Sequence, residues 1–492
     1  MTVVLDTRDD FTLANFRRVC YGGEAVQLGA QARRALAAAG RGRTVPGEAG
    51  AASARAAPAG AGSADSGGRY LDEAVVRGIL FARLAGSVSG HTAVRLTAAE
   101  RVAALLGSPA PRVPSGGPAG PDEATVMAAA LAGVRRDDLG EAERRALAEP
   151  APCPAALAAD TALRSRHRLE SAQAVCALSI EAFGAPLGAY DAALDDLWGD
   201  AHEAAVLRAL RRHLDGAGTD NRRFHQAPVS YRIIPRVLGQ AHRAVAAVEK
   251  AAATALRAVT GDVLLAGRVL PNGGFHNGMA YPAMNALSAA WADLALVAER
   301  QVTALNTAET SGLPVNLAVL GAPTGTYAYG WAASSYVEEA RAAAAPALLP
   351  AAAGDPRSDV LSPAFSAHRR ERRAAECLDG VLAILVIVCS QALFVTGRSP
   401  AGPLRPLLSF ARSVFPPIDG TGVRDLSADG QSLQQAWRRR RSPAALSPCP
   451  GCNDSRCGSQ APWRILPFAG TGGAARGRYL RNRAIASLAS TE

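Results

Sequence analysis

Three cysteines in the carboxyl-terminal part of the chain are spaced as metal ligands often are. Two residues separate Cys449 from Cys452, and Cys457 follows five residues later. Three thiolates and one further ligand would complete the tetrahedral shell of a structural zinc ion. A fourth ligand is not evident, because Asp454 is close to the cysteines but badly placed. The alternative is a poorly ordered tail with free thiols, and we therefore assign no metal ligand.

The remaining five cysteines are scattered and lie mostly in apolar surroundings. They are Cys20, Cys153, Cys176, Cys377 and Cys389. Eight cysteines in 492 residues do not make a disulfide framework, and this usage suits a reducing compartment. The amino-terminal sequence MTVVLDTRDDFTLANF has early acidic residues and no apolar h-region, unlike a signal peptide. We expect a cytoplasmic protein.

The formal charge of +10 first suggests a nucleic-acid partner. Lys250 is the only lysine, however, and most arginines occur singly; the exceptions are the clusters at 369–373 and 438–441. No aromatic residues alternate with them to form a stacking surface for bases. The charge is better explained by the composition of a GC-rich genome, so we expect no nucleic-acid partner.

The most apolar segment, Val381–Val395, is the best membrane candidate. It is shorter than the ~20 residues that a spanning helix needs, and Ser390 and Gln391 interrupt it. A buried helix in the middle of a bundle is the better interpretation, and we expect no membrane partner.

Composition and periodicity predict an all-α fold that can position candidate site residues on long helices. Hydrophobic residues make up 49% of the chain and aromatic residues 5%, with alanine, the best helix former, dominating the apolar share. Helical periodicity is strongest in four segments. They are 235–258, 279–305, 326–343 and 364–396. These segments predict an elongated bundle of long helices, with a small mixed region of short strand and helix at the amino terminus.

We divide the chain into three parts. Residues 1–215 are predicted to form an amino-terminal domain with a flexible loop at 40–68, a stretch rich in Gly, Ala, Ser and Pro. Residues 216–396 contain the long-helix bundle. Residues 397–492 form a tail rich in proline and arginine, which carries the cysteine cluster and is expected to be loosely ordered.

Six segments, in order, resemble the aromatic amino-acid ammonia-lyases and aminomutases. They are TLANFRRVCYGGEAVQLGAQARRAL, GSVSGHTAVRLTAAERVAALL, QAPVSYRIIPRVLGQ, AVTGDVLL with NGGFHNG, ALSAAWADLALVAERQVTALN and TGTYAYGWAASSYVEEARAAAAPA. Each match is weak alone, but their common order and spacing over residues 3–396 indicate a common fold. The resemblance implies a helical homotetramer whose active sites are shared among subunits.

That family makes an electrophile, methylidene-imidazolone, by cyclising an internal Ala-Ser-Gly, and the serine hydroxyl must leave. In our alignment Gly117-Pro118-Ala119 occupies the tripeptide position. Nearby Ser115 is followed by Gly116, but Pro114 precedes it. We therefore expect no electrophile, and no other cofactor.

Other family positions are also changed. Pro46 stands at the amino-terminal tyrosine base, Val229 at the second tyrosine, Gly274 at the asparagine of G-N-F-H-G and Ser358 at the late glutamate. General acid–base work needs a titratable group within hydrogen-bond reach. An ordinary ammonia-lyase is therefore not expected.

The retained residues define a candidate site. Arg232 aligns with the family arginine that holds a substrate carboxylate by a bidentate contact, and a structural ion pair is the alternative. Gln226 also matches its family counterpart. Asn316 and Tyr327 align with residues that line the family's pocket, and for these two a packing role is the alternative. As acid–base groups we name His276, Tyr231 and Asp359; for His276, a core or capping histidine is the alternative.

Three functions follow from the resemblance. The first is an enzyme of secondary metabolism, repurposed to act on an amino acid or amino-acid-derived substrate without the electrophile. The second is an inactive subunit that pairs with an intact paralogue in a hetero-oligomer. The third, ranked last, is an ammonia-lyase whose electrophile forms from non-standard residues.

Overall fold

The computed structural model describes ten stretches of the chain, and all of them lie within one compact unit, Met1–Ala445. The described residues are 2–41, 70–116, 121, 123–134, 139–220, 222, 226–322, 324–351, 359–421 and 435–436. The predicted loop at 40–68 falls almost wholly outside them, as do Pro46, the tripeptide 117–119, Ser358 and the cysteine cluster.

Helices dominate the described residues, as the sequence predicts. The α-helices are α1 (Leu13–Phe16), α2 (Ala30–Arg41), α3 (Glu73–Val88), α4 (Leu96–Leu106), α5 (Glu123–Ala130), α6 (Glu141–Ala148), α7 (Pro152–Phe183), α8 (Leu194–Leu197), α9 (Ala201–His213), α10 (Val229–Arg232), α11 (Ile234–Arg257), α12 (Ala280–Asn306), α13 (Ala308–Ser311), α14 (Tyr327–Ala343), α15 (Ala364–Val395) and α16 (Arg405–Val414). Short 3₁₀ turns lie at Arg8–Asp10, Leu187–Tyr190, Val315–Leu317 and Gly402–Leu404, and a π-helical turn at Arg17–Tyr21.

Two small sheets accompany the helices. Strands β1 (Thr2–Leu5) and β2 (Ala25–Leu28) pair in parallel, with Val3 opposite Val26. Strands β3 (Val263–Leu265) and β4 (Arg268–Leu270) form an antiparallel hairpin. The predicted mixed region at the amino terminus is therefore present, whereas strands β2, β3 and β4 were not predicted from the sequence.

The core lies where the long helices meet. Helix α12 packs against α15, α11 and α14, while α7 packs against α11, α15 and α3. Close approach follows from the many buried alanines, since a methyl side chain keeps two helix axes near each other. Helix α7 ends where Gly184 adopts φ +72°, a left-handed cap that glycine provides without strain.

The four predicted long helices agree with α11, α12, α14 and α15 to within one or two residues. Helix α15 is the single helix of the described residues that is long and apolar enough to cross a membrane by length and composition. Of its most apolar window, 89% is buried inside the protein. Its apolar surface is thus used by neighbouring helices, as expected for the middle of a bundle.

Residues 398–421, the part of the predicted tail that the structure describes at length, differ from the prediction of loose order. They form α16, whose Leu408 is buried, and the flanking Leu404 and Phe415 are buried as well. Because Pro406 lies in the first turn of α16, it does not interrupt the helix. Proline content was therefore a poor guide to order in this stretch.

A network of charged side chains is buried between the helices. Asp160 on α7 is fully buried and contacts Arg164 Nε at 3.0 Å, His368 Nε2 at 2.9 Å and the Tyr21 hydroxyl. Arg164 continues to Asp72, 2.9 Å away. Burial alone would raise the pKa of Asp160, but Arg164, His368 and Tyr21 together hold it well below its usual range. Asp160 is therefore ionised and fixed.

A second buried group lies along the same helices. Arg168 forms two parallel hydrogen bonds to Asp379, at 2.9 and 3.1 Å. The Trp291 indole N–H donates to Glu371 Oε1 at 2.9 Å, and burial raises the pKa of Glu371. These pairs join α7, α12 and α15 from inside, so the polar core fixes the relative position of three long helices.

Candidate functional site

Short helix α10 carries the candidate carboxylate-binding arginine, Arg232. Two buried side chains fix this helix to the bundle. Gln301 on α12 donates its Nε2 to the Ser230 carbonyl at 2.9 Å, and the Tyr190 hydroxyl donates to the Tyr231 carbonyl at 2.8 Å. The backbone that presents Arg232 is therefore held by core residues on both sides.

The Arg232 side chain lies at the surface. Its Nε donates to the Ala227 carbonyl at 3.0 Å, and Gln226 is exposed on the same segment. No carboxylate of the described residues forms an ion pair with Arg232, in contrast to Arg222 and Arg236 nearby, which pair with Glu181 and Glu203. The alternative of a structural ion pair thus receives no support here. A guanidinium held by one nitrogen can offer its outer edge to a carboxylate.

Tyr231 occupies the core rather than a surface. Its ring stacks on Phe183 with centroids 4.4 Å apart, and its hydroxyl lies 3.4 Å from Ser179 Oγ. The side chain is fully buried. In this conformation Tyr231 packs α10 against α7, and proton transfer by its hydroxyl stays a prediction.

His276 lies in the loop between β4 and α12. Its backbone N–H donates to the Gly273 carbonyl at 3.1 Å, and its half-buried ring contacts the Phe275 ring, with centroids 4.9 Å apart. Phe275 and His276 therefore form a small aromatic pair on an accessible loop, as a group that takes part in proton transfer requires.

The same loop closes tightly around Gly274, the position of a family asparagine. Asn272 Oδ1 accepts from the Gly274 N–H at 2.7 Å, and Asn272 Nδ2 donates to the Gly261 carbonyl at 2.6 Å. A Cβ at Gly274 would lie 2.7 Å from both Asn272 Oδ1 and the Thr260 carbonyl oxygen. In this conformation the loop has no room for an asparagine side chain at position 274.

Asn316 and Tyr327 are brought together by a turn. Asn316 has φ +52° and Leu317 has φ +53°, both left-handed. The Asn316 carbonyl accepts from the Thr326 N–H at 2.8 Å, so the residue before Tyr327 is bonded directly to Asn316. The Tyr327 ring is 46% exposed and lies 5.0 Å from the Trp331 ring.

Asp359 is separate from these residues. It is exposed and begins a described stretch, next to Val360, which pairs with Ala351 in an isolated bridge. In the described part of the chain, none of the contacts of Asp359 involves another candidate site residue. Its role as an acid–base group stays a prediction.

Helix α12 sets the distance between the two halves of the candidate site. Gln301, which holds α10, and Asn306, which contacts Thr326, lie near its carboxyl end, whereas His276 precedes its amino end. A rise of 1.5 Å per residue puts about 33 Å of helix between Met279 and Gln301. Arg232 and Asn316 therefore belong to one end of α12 and His276 to the other. One chain does not bring them together.

The aligned electrophile position does not fit that group chemically. Gly117-Pro118-Ala119 contains no hydroxyl that could leave, and the tertiary nitrogen of Pro118 cannot enter a C=N bond. Ser115 lies just before it and directly follows Pro114, which forms an isolated bridge with Tyr70. Ser115-Gly116 is the single Ser-Gly pair in segment 107–123.

Metal ligands and unpredicted residues complete the description. The described residues contain no group of three or more His, Cys, Asp or Glu arranged to hold a metal ion. Three residues that fix the candidate segments were not predicted from the sequence: Gln301, Thr326 and Gln391, whose Nε2 donates to the Leu317 carbonyl at 3.3 Å. For Gln301 and Gln391 the sequence offers one signal, a polar side chain inside a mainly apolar helix. That signal alone does not tell whether the side chain bonds to a site segment or to a buried carbonyl in another part of the protein.

Known proteins agree with this architecture. The sequence model described as "Aromatic amino acid lyase" matches residues 121–412. Histidine ammonia-lyase of Geobacillus thermodenitrificans is 30% identical over 418 residues, covering 77% of this chain and 82% of that protein.

Solved structures share the fold. Histidine ammonia-lyase from Trypanosoma cruzi superposes with a TM-score of 0.75 at 20% identity, covering 91% of this chain and 96% of that one. Tyrosine aminomutase from Streptomyces globisporus gives 0.71 at 20% identity, with 89% and 97% covered. The family match and the relative at 30% identity lead to one conclusion: this chain belongs to the aromatic amino acid lyase family.

Proposed function

We propose that this protein acts on an amino acid or an amino-acid-derived molecule, binding its carboxylate through Arg232, without a methylidene-imidazolone electrophile. The proposal depends mainly on one observation: the Arg232 guanidinium is exposed and forms no ion pair with any carboxylate of the described residues. A planar guanidinium offers a carboxylate two parallel hydrogen bonds. Gln226, on the same segment, would contact the bound molecule, as would Asn316 and Tyr327.

Proton transfer in this proposal belongs to His276 and Asp359, both on accessible segments. Tyr231, the residue before Arg232, is buried against Phe183 and would contribute by packing in the present conformation. Since about 33 Å of α12 separates the Arg232 end from the His276 end, a complete site needs more than one copy of the chain. We therefore propose a homotetramer, working in the cytoplasm in secondary metabolism.

Absence of the electrophile rests on sequence chemistry. The tripeptide position contains no serine, and the family match begins at residue 121, after that position. Without an electron sink, removal of a proton from an unactivated amino acid is unfavourable. The proposed reaction is therefore not the elimination of ammonia from an unactivated amino acid, and it uses ordinary acid–base groups. A free amino acid can still bind through its carboxylate.

Ligand-induced stabilisation of the purified full chain tests the proposal. The probes are L-histidine, L-phenylalanine and L-tyrosine, chosen because relatives carry these amino acids in their names. We expect at least one to raise Tm, and Arg232→Ala to abolish the shift. Arg257→Ala, at an exposed arginine on α11, is the matched control and should keep it. No shift with any probe in the wild type would contradict the proposal.

The electrophile is tested separately by mass spectrometry. The tryptic peptide 113–135 contains both Ser115-Gly116 and the aligned tripeptide. We expect its unmodified mass. A mass lower by two waters, together with release of ammonia from an amino acid, would establish the non-standard ammonia-lyase instead.

A second candidate function is an inactive subunit paired with an intact paralogue. The separation of the two site halves along α12 favours it, because a partner chain could supply the missing acid–base half. Affinity purification from the native cells distinguishes the two. An intact family member recovered in a fixed ratio would support the hetero-oligomer, whereas recovery of this chain alone would support the homotetramer.

A further inference from the structure

Two consecutive residues of the candidate site adopt a backbone conformation that L-residues rarely occupy. Asn316 (φ +52°, ψ +22°) and Leu317 (φ +53°) are both left-handed, and Leu317 is fully buried. Asparagine tolerates this region through its short polar side chain, but leucine does not favour it. Such a turn persists only where neighbouring groups over-determine it. The neighbours of this turn must therefore hold it in place.

Thr326 holds the first residue of the turn. Its side chain is fully buried, and its N–H donates to the Asn316 carbonyl at 2.8 Å. Its hydroxyl lies 3.0 Å from the same carbonyl and 2.6 Å from Asn306 Oδ1 on α12. A hydroxyl has one proton to donate, so Asn316 and Asn306 share this group. Thr326 thus joins the turn to the carboxyl end of α12.

Gln391 holds the second residue of the turn. It lies on α15, is 1% exposed, and donates Nε2 to the carbonyls of Leu317 at 3.3 Å and Ile418 at 3.0 Å. Its Oε1 accepts from the Ile418 N–H at 2.9 Å. One amide therefore ties the turn to both the central helix and the segment after α16.

The chain also passes closely at two glycines. A Cβ on Gly325 would lie 2.1 Å from the Asn316 carbonyl oxygen, and a Cβ on Gly420 would lie 2.2 Å from the Leu320 carbonyl oxygen. No side chain fits at either contact. Both carbonyls of the turn therefore accept hydrogen bonds, and backbone packs closely around this part of the loop. Tyr327, next to Thr326, stays exposed.

We propose that Thr326 and Gln391 are positioning residues: they hold the left-handed turn Asn316–Leu317 so that the Asn316 side chain is set for the bound molecule. This inference rests on the proposed function, because the resemblance aligns Asn316 with a pocket-lining residue. Neither Thr326 nor Gln391 touches the ligand in this account. A buried hydroxyl and a buried amide act through the backbone carbonyls of the turn.

The key variant is Thr326→Val, which keeps the shape and the backbone N–H but removes the hydroxyl. Thr326→Ser restores the hydroxyl, and Thr324→Val, at an exposed threonine in the same loop, is the control. Gln391→Met removes the amide while filling nearly the same volume. All are made in the full chain, in whatever assembly it forms.

Hydrogen exchange measured by mass spectrometry tests the turn without any ligand. We expect Thr326→Val and Gln391→Met to speed exchange in the 313–327 peptides about 10-fold, as loss of one buried hydrogen bond implies. Peptides from the middle of α12 should be unchanged, and Thr326→Ser and Thr324→Val should behave as the wild type. Unchanged exchange at 313–327 in both variants would overturn the proposal.

The affinity for an amino acid tests whether Thr326 positions the Asn316 side chain. For the amino acid that stabilises the wild type, we expect Thr326→Val to weaken Kd about 10-fold and Thr326→Ser to recover it. Faster exchange with an unchanged Kd, while Arg232→Ala still abolishes binding, would overturn positioning and leave the proposed function standing. If the wild type binds no amino acid, the proposed function is overturned. Faster hydrogen exchange in the variants would then show only that Thr326 and Gln391 stabilise the turn.

Discussion

Charged side chains are paired and buried in one region of this protein and exposed without an ion pair in another. Between the long helices, Asp160 is fully buried and contacts Arg164, His368 and Tyr21. At the candidate site, Arg232 lies at the surface and forms no ion pair with any carboxylate that the structure describes. The two regions are connected through the bundle, since α7 carries Asp160 and also packs against α11, which begins two residues after Arg232.

The difference separates charges that specify the fold from charges that remain open to a ligand. A buried carboxylate without partners would be costly, so the core must surround Asp160 with donors. An exposed arginine needs no partner for stability and can keep its guanidinium for a ligand. A chain that lost its ancestral chemistry and all binding would still keep the first kind. Retention of the second kind is what the proposed function depends on.

Removal of the central core charge should have the largest effect. We expect Asp160→Asn to lower the free energy of unfolding by about 3–5 kcal/mol, because half-buried Arg164 and buried His368 then face a neutral side chain in place of their shared carboxylate. Chemical denaturation at pH 7 measures it. Asp196→Asn, at an exposed aspartate on α8, is the control and should have little effect. A small loss for both variants would mean that the core network does not specify the fold.

A side chain at Gly274 should give the next largest effect. Gly274→Asn restores the family residue type, yet its Cβ would lie 2.7 Å from two oxygens. We expect a loss of about 1–3 kcal/mol from overpacking and no gain of ammonia release. Gly273→Asn is matched, because a Cβ there meets no atom within 4 Å. Release of ammonia by Gly274→Asn would show instead that the loop can accommodate the family's asparagine.

Long helices were predictable because their signal is distributed over many residues. Small or apolar side chains make up most of segments 279–305 and 364–396, so a few exceptions leave the period intact, and both helices were located to within a residue or so. Strand β2 was missed because a strand of four residues is too short to show a clear period in hydrophobicity. The order after 397 was missed because proline in a first turn looks the same in sequence as proline in a coil.

Candidate site residues were less predictable than the helices. The sequence located Arg232 but could not tell an ion pair from an open guanidinium, since that depends on which carboxylates approach it in space. It named Tyr231 as a proton-transfer group, although stacking on Phe183 encloses the ring. It could not reveal Thr326 or Gln391 either, because their role comes from the conformation of two other residues.

Paired histidines extend the comparison to pH. His202 and His242 join α9 to α11 with Nδ1 atoms 2.8 Å apart, and burial, with Arg166 and His202 nearby, lowers the pKa of His242 to about 4. The unfolded value is about 6.5, so between these values the unfolded state binds the proton and the folded state does not. Stability is therefore complete above pH 6.5 and decreases as the pH falls towards 4.

Because of this histidine pair, we expect the free energy of unfolding to be about 1 kcal/mol lower at pH 5 than at pH 7. This value is already reduced for partial solvent screening of His242. His242→Gln should remove that part of the pH dependence, measured by denaturation at both pH values. His276→Gln, at the candidate site, is the control, because His276 contacts no second histidine among the described residues. The same slope in His242→Gln as in the wild type would exclude the pair as its source.

The smallest effect on stability is expected at the arginine of the candidate site. Arg232→Ala removes a surface guanidinium that is bonded to the Ala227 carbonyl, so the free energy of unfolding should change by no more than about 0.5 kcal/mol. Arg164→Ala is the matched variant, since Arg164 pairs with both Asp160 and Asp72, and it should lose several times more. Denaturation of both proteins without ligand gives the two values. An Arg232→Ala loss as large as that of Arg164→Ala would make Arg232 a structural residue, and the distinction between a paired core and an open site would no longer hold.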